Sequence, residues 1–448
     1  MTQASLPRRT VAINPGVVVT LGLAGTAFMV TGVLVLVHYK TYDTWGALLV
    51  APVLVLVSLP VLARQAAREE DQRLLWLLLV ALVLKFCGAV VRNYADAVVY
   101  QGVADSAGYH LRGIILAERF WSGNLDTGLD GSSIHFMYFL TGVIYSIIGP
   151  TKLGGDLVYA WLGFWGLFAF YRAFTLAVPD GRHRSYARLL LFLPSLLFWP
   201  SGIGKDAWMM MALGVTAFGA ARVVTGRTGR GAVVAVAGLW LCALVRPHLA
   251  GIIALALATA ALLAKPAPGW RQLAPVAKMA SLAVVAVIAV AVVTQAERFL
   301  EDSGVNLDQG RTAAIDKVAS ASKYGESNYA PPDWGTPSGA LIAATTVLFR
   351  PFPTEARNPQ AVAAALESSF LLLLTLGRWR SLWAALRGLR RRPYVALALV
   401  YTLLFVVAFA AVANFGILVR QRSQVLPLYL VLLCCQPWIP KSLAAHDP

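Results

Sequence analysis

Leu74-Leu-Trp-Leu-Leu-Leu-Val80-Ala-Leu-Val-Leu-Lys85-Phe-Cys-Gly-Ala-Val-Val91 is an apolar run of 18 residues interrupted by one charge. Read as a helix rising about 1.5 Å per residue, it approaches the ~30 Å hydrocarbon thickness of a bilayer. It stops abruptly at Arg92-Asn-Tyr-Ala-Asp96, and soon afterwards comes Gly102-Val-Ala-Asp105-Ser-Ala-Gly-Tyr109-His110-Leu-Arg112. A span that ends where acid, aromatic and histidine crowd together points to a polar site at a membrane surface. Two more polar islands stand between apolar runs in the same way, Pro200-Ser-Gly-Ile-Gly-Lys205-Asp206 and Arg246-Pro-His248.

The pattern of apolar runs extends over the whole chain. Of 448 residues, 58% are hydrophobic and 13% charged, with a mean hydropathy of +0.66. Soluble domains carry about a quarter charged residues. The chain is therefore expected to be an all-α polytopic membrane protein with about twelve spans. These are residues 17–37, 45–62, 74–91, 157–175, 188–201, 207–223, 231–245, 249–263, 276–293, 361–376, 393–412 and 424–437. Residues 1–9 followed by a long apolar run lack a small-residue cleavage site and read as an uncleaved first span. Cys87, Cys242, Cys434 and Cys435 lie inside apolar runs and read as buried small hydrophobes.

Residues 132–148 and 339–352 are apolar but ambiguous. Basic clusters at Arg8/Arg9, Arg64/Arg68/Arg73, Arg182/Arg184/Arg188, Arg222/Arg227/Arg230, Lys265/Arg271/Lys278 and Arg378–Arg392 all fall on the cytoplasmic side only if neither stretch crosses. Both then become horizontal or re-entrant helices inside two long outer loops, 92–156 and 294–360, where surrounding protein covers their backbone. This topology gives the inner side 22 basic and 5 acidic residues, and the outer side 16 and 17. The net charge of +16 is thus an orientation signal and does not indicate nucleic-acid binding. Both termini are expected in the cytoplasm, with residues 438–448 as a short tail, in a plasma or inner membrane.

All three polar islands then face outward. Asp105 precedes a helix predicted from Ser106, so an N-cap role competes with a site role. Tyr109 and Arg112 share its helix face at four and seven residues on, which would build a polar pocket wall. Asp96 reads better as a solvated loop carboxylate. Residues 111–120 alternate as an amphipathic interfacial helix. Lys205 and Asp206 are either an interfacial snorkelling pair or site residues, since ionisable groups at membrane depth tend to be functional. Arg246 and His248 occupy a tight hairpin that needs Pro247 but has no need of arginine and histidine, and they suit a phosphate or carboxylate. Arg350 and Arg357 fit the same anionic ligand. Arg420 and Arg422 break the positive-inside pattern, which favours a ligand role for them. Glu367 lies inside a span and would pair with a neighbouring arginine, and Lys85 reads as the same kind of ion pair. The six histidines lack metal-ligand spacing, and no Walker loop, HExxH, GxSxG or Rossmann fingerprint occurs.

Taken in order, these features resemble the GT-C superfamily of membrane glycosyltransferases, such as the protein O-mannosyltransferases, aminoarabinose transferases and oligosaccharyltransferase catalytic subunits. The match runs through Ala104-Asp105-Ser-Ala-Gly-Tyr109-His110 in the first large outer loop and a horizontal piece at 132–148. It continues with Leu193-Pro-Ser-Leu-Leu-Phe-Trp-Pro-Ser-Gly-Ile-Gly-Lys205-Asp206 and ends with Arg420-Gln-Arg422-Ser-Gln-Val-Leu-Pro427, which is similar to bacterial family 39 relatives. It covers residues 74–437, preceded by two extra spans in 1–73. No Asp-x-Asp or Asp-Glu pair stands at Asp105, so a divalent cation (Mg or Mn) is left open, and no large soluble C-terminal domain follows.

The resemblance implies inverting transfer of a sugar from a polyprenyl-phosphate carrier to a glycan or lipid acceptor of the cell envelope. Asp105 would be the general base and Asp206 would orient the acceptor or share a metal. Tyr109, His110, Lys205, Arg246, His248, Arg350, Arg357, Arg420 and Arg422 would line the substrate, the arginines holding the lipid phosphate. A polymerase or ligase of lipid-linked repeat units would use the same outer arginines. A lipid-linked glycan transporter is disfavoured, because charges gather on one side and the two halves do not repeat.

Overall fold

A computed structural model describes residues 41–263, 328–330 and 336–436, with isolated positions between 23 and 38 and between 275 and 287, and Ser320. The expected spans at 17–37 and 276–293, residues 294–327 of the second loop and the tail at 438–448 lie largely or wholly outside the described residues. Among the described residues the chain is helical, and strand pairing is limited to one isolated bridge, Asn328 to Asn414.

In chain order the helices are α1 (Tyr42–Trp45), α2 (Ala47–Arg68), α3 (Gln72–Tyr94, continued by a π-turn, Ala95–Val99), α4 (Asp105–Trp121), α5 (Ser133–Ile148) and α6 (Lys152–Ala177). Next come α7 (His183–Phe192), α8 (Pro194–Phe198), α9 (Lys205–Val224), α10 (Thr228–Ala243) and α11 (Pro247–Leu263). The C-terminal part holds α12 (Pro337–Phe349), α13 (Pro359–Gly377), α14 (Trp379–Gly388), α15 (Pro393–Phe409), α16 (Phe415–Arg422) and α17 (Leu426–Cys434).

Five of these are long and apolar enough to cross a membrane: α2, α3 with its π-turn, α6, α9 and α13. Counting the bent pairs α14–α15 (114°) and α16–α17 (60°) as one span each raises the number to seven. The remaining apolar helices, α5, α10, α11 and α12, are shorter. Helices α6 and α9 form the centre, with 72% and 67% of their apolar windows buried, whereas α2 and α13 are 22% buried. The outer helices display Val53, Leu56, Val57, Leu366 and Leu373 on open faces. Contiguous exposed apolar surface of this kind is covered by lipid in a membrane protein.

The expected span at 188–201 is broken. Pro194 and Pro200 lack backbone donors, and a residue before proline is pushed toward extended geometry. Leu193 accordingly sits at φ −62° and ψ 128°, separating α7 from the short α8. The backbone from 193 to 204 is packed against other helices, which is the condition for irregular backbone at membrane depth. Lys85 Nζ donates to the Leu196 carbonyl at 2.6 Å, and Glu367 accepts from the Ser195 amide at 2.7 Å. Arg92 lies over the Phe198 and Trp199 rings at 5.3 and 5.1 Å. Lys85 and Glu367 thus serve the broken segment, rather than pairing with oppositely charged side chains as the sequence suggested. Cys242, Cys434 and Cys435 are buried free thiols, while Cys87 is exposed.

The ends of the bundle differ in chemistry. Helix α3 runs from the Glu69/Asp71 end to Asp96, and α6 runs back from Lys152 to Tyr171, whose hydroxyl donates to Glu69. At that second end, Arg184 meets Asp71 at 3.2 Å, Arg392 pairs with Asp180, and Arg172 and Arg222 flank Phe218. The first end collects the starts of α4, α6, α9 and α11 and the finish of α3. That end carries the polar islands.

Candidate active site

Helix α4 starts at Asp105 itself, with Ala104 as N-cap, and the Asp105 carboxylate makes no capping bond. The competing cap reading therefore falls away. Asp105 keeps 69% of its side chain exposed and stands 4.0 Å from Arg420 Nη2. Arg420 Nε in turn donates to Asp206, which is 3% exposed at the start of α9. Both carboxylates share one guanidinium, so the chain brings Asp105 and Asp206 into one site.

Asp206 anchors that site. Its Oδ1 accepts from Arg246 Nη2 at 2.9 Å and from Gln424 Nε2 at 3.4 Å. Arg246 Nη1 donates to Gln421 Oε1 at 2.7 Å, and Gln424 Nε2 also reaches Gln421 Oε1 at 3.1 Å. A carboxylate placed this deep needs charged and hydrogen-bonded partners to remain ionised. Both of its oxygens carry a guanidinium. Lys205 is half-buried, its Nζ donating to Ser133 Oγ at 2.8 Å. With three cations, Lys205, Arg246 and Arg420, against two carboxylates, the cluster carries one surplus positive charge. Tyr109 is buried beside it, edge-on to Tyr138 at 5.9 Å, and burial pushes its phenol pKa up. His248 is exposed at the start of α11, within electrostatic reach of Arg246 and Lys205.

Three expected residues are used elsewhere, and a fourth, Arg357, makes no hydrogen bond or ion pair with the cluster among the described residues. His110 turns to Tyr145, its Nδ1 at 2.6 Å from the phenol oxygen. Arg350 is paired with Glu355 through Nε and Nη2, and lies over Tyr329 and Phe415 at 4.8 and 4.9 Å. Arg422 is fully buried and donates to the Leu348 and Arg350 carbonyls at 3.1 and 3.0 Å and to Ser368 Oγ at 2.9 Å. The last carbonyls of a helix have no partner within it, and Arg422 supplies them at the end of α12. All three bonds come from Nη1, and the buried Nε and Nη2 have no hydrogen-bond partner among the described residues. Arg357 is exposed in the loop before α13. Arg112 also faces outward while Tyr109 faces in, so the pocket wall expected from their spacing does not form.

The sequence reading missed a second polar network beside the first. Asp96, expected in solvent, is 2% exposed; it meets Arg92 at 3.2 Å and accepts from Ser106 Oγ at 2.6 Å. The continuation of α3 through the π-turn carries it inward. Asp156 is fully buried and accepts from Asn93 Nδ2 at 2.8 Å and from the Ile203 amide at 2.7 Å, with Lys152 at 3.5 Å. It thus holds the loop that delivers Lys205 and Asp206. Ser106 follows Asp105 directly, so the first turn of α4 touches both networks. The i, i+4 spacing of Lys152 and Asp156 was a usable signal for Asp156, as was Gln421-x-x-Gln424 for the two glutamines. No protein-family model, curated protein or solved structure matches the chain.

Proposed function

We propose that the chain is an integral membrane glycosyltransferase of GT-C-like organisation, with about twelve spans and both termini in the cytoplasm. It moves a sugar from a polyprenyl-phosphate carrier to a glycan or lipid acceptor at the outer face. The observation that carries this reading is the pairing of one exposed carboxylate, Asp105, with a buried Asp206–Arg246–Arg420 cluster on the same guanidinium.

Asp105 takes the proton of the acceptor hydroxyl, a role that requires a carboxylate within hydrogen-bond reach and free of other work. The acceptor oxygen then bonds to the sugar C1 from the face opposite the phosphate. The C1–O bond breaks, and its electron pair leaves on the polyprenyl phosphate. Lys205 and the partly exposed Arg420 neutralise the charge on that leaving group, with donors fixed before reaction. Asp206 does not touch the substrate; it holds Arg246 and Arg420 in place. The reading needs no divalent cation. Membrane lipid and the polyprenyl tail share the apolar outer faces of the bundle.

The test uses the purified full chain in liposomes with polyprenyl-phosphate hexoses and pentoses and an envelope glycan or lipid extract as acceptor, following release of polyprenyl phosphate. Asp105→Asn is expected to slow release by about 10²-fold or more, with folded protein at wild-type levels. A near-normal rate in that variant would remove Asp105 as base. Consumption of an oligosaccharide diphosphate lipid in place of a single-sugar lipid would move the reaction to the polymerase class.

A further inference from the structure

A hollow of about 490 Å³ opens at the opposite end of the bundle, lined by Arg387, Arg390, Arg391, Leu263, Leu386 and Leu389. It lies between the finish of α11 and the turn joining α14 to α15. Helix α14 has a sharply two-sided surface. Trp379, Trp383 and Leu386, spaced by four and three residues, share one exposed face. The guanidinium groups of Arg380 and Arg387 lie over the Trp379 and Trp383 rings at 5.8 and 5.0 Å. Because α14 meets α15 at 114°, the two cannot both run along the membrane normal. With α15 crossing, α14 lies nearly flat, tryptophans at the headgroup level, which is the arrangement of an interfacial amphipathic helix.

Charge singles out the occupant. Arg378, Arg380, Arg387, Arg390, Arg391 and Arg392 fall within 15 residues, and no aspartate or glutamate occurs between Glu367 and Asp447. Arg392 is engaged with Asp180 and the Gln436 carbonyl, and Arg378 with the Leu433 carbonyl and Cys434, so these two tie the turn to the bundle. The three arginines of the hollow are exposed. Their guanidinium groups meet an apolar lip made by three leucines. That combination suits a ligand with an anionic head and an apolar body.

We infer that this hollow is a binding site for the phosphate headgroup of an anionic glycerophospholipid, its acyl chains running along Leu263, Leu386 and Leu389. Basic hollows between spans at a membrane surface bind such headgroups, and each arginine contributes about a fivefold gain in binding. The site is separate from the Asp206 cluster and stands or falls without the glycosyltransferase reading.

Native mass spectrometry of the detergent-solubilised full chain tests it, with phosphatidylglycerol, phosphatidylcholine or inorganic phosphate added. The wild type is expected to retain phosphatidylglycerol and shed phosphatidylcholine, with equimolar phosphate failing to compete. The triple variant R387Q/R390Q/R391Q loses retention by roughly a hundredfold. R387K/R390K/R391K, which keeps the charge, retains the lipid, and R227Q/R230Q, which removes charge elsewhere at the same end, behaves as wild type. Equal retention of the two lipids overturns the site. So does displacement by phosphate, or equal loss in both charge-removing variants.

Discussion

At the scale of single residues, Asp206 decides whether the site exists. Its carboxylate is buried against Arg246, itself nearly inaccessible. Breaking a buried pair from one side leaves an uncompensated charge and costs about 3–5 kcal/mol. Asp206→Ala should therefore lower stability by that order, read as the thermal unfolding midpoint in detergent. Adding Arg246→Ala should cost less than the sum of the two single changes, because the stranded charge goes with it. Strictly additive losses would show that Asp206 does not hold Arg246. The ionisable residues of this site were legible because Asp105, Lys205, Asp206, Arg246 and Arg420 interrupt apolar runs. Arg350 and Arg422 interrupt apolar sequence equally well, yet they satisfy Glu355 and helix-end carbonyls. Sequence spacing does not distinguish a guanidinium that meets a ligand from one that meets the protein's own backbone. Asp96 was misread for a related reason: the π-turn that carries it inward leaves no mark in the pattern of residue types.

At the scale of elements, the central contact is the crossing of α6 and α9. A side chain at Gly166 would place its Cβ 2.3 Å from the Met210 carbonyl oxygen, and one at Gly214 would meet the Gly166 carbonyl oxygen at the same distance. Close approach through small residues is how helices associate where lipid removes the usual hydrophobic drive. The obstacles are backbone atoms, which cannot rotate away as a side chain would. Gly214→Val should exceed the cost of about 1–3 kcal/mol typical of overpacking and sharply reduce recovery of monodisperse protein. Gly108→Ala, facing open space on α4, should leave recovery unchanged. Equal recovery of the two variants would mean that this crossing does not hold the centre together. Long apolar helices such as α3 and α6 were legible directly from their run length. The segment at 188–201 was not, because its apolar composition suits a span while Pro194 and Pro200 break it. Composition reports burial, and the prolines report shape.

At the scale of the whole molecule, the two ends of the bundle carry different chemistry. One gathers Asp96, Asp105, Asp156 and Asp206 with their cations, and the other gathers arginines at 182–184, 222–230 and 378–392. The positive-inside rule acts on positively charged residues near span ends, whatever acidic residues accompany them. By that rule the arginine end is expected in the cytoplasm and the Asp206 end outside. The separation of charge between the two ends was legible in the sequence because arginine clusters follow α2, α6, α9 and α13, whereas α3 runs into Asp96. The span count was less so, since the short α5, α10, α11 and α12 are apolar without reaching the length that identifies a crossing. A cysteine-labelling experiment in whole cells tests the orientation, starting from Cys87→Ala, because Cys242, Cys434 and Cys435 are buried. Leu125→Cys, in the exposed loop after α4, should react with a membrane-impermeant maleimide added from outside. Arg230→Cys, at the start of α10, should react only after the membrane is opened. The reverse pattern would invert the protein and put the Asp206 site in the cytoplasm, where soluble sugar nucleotides are available and the case for a lipid-linked donor disappears. Labelling of both positions from one side would mean that the chain crosses an even number of times between them, so that α6, the α7–α8 segment and α9 do not all span.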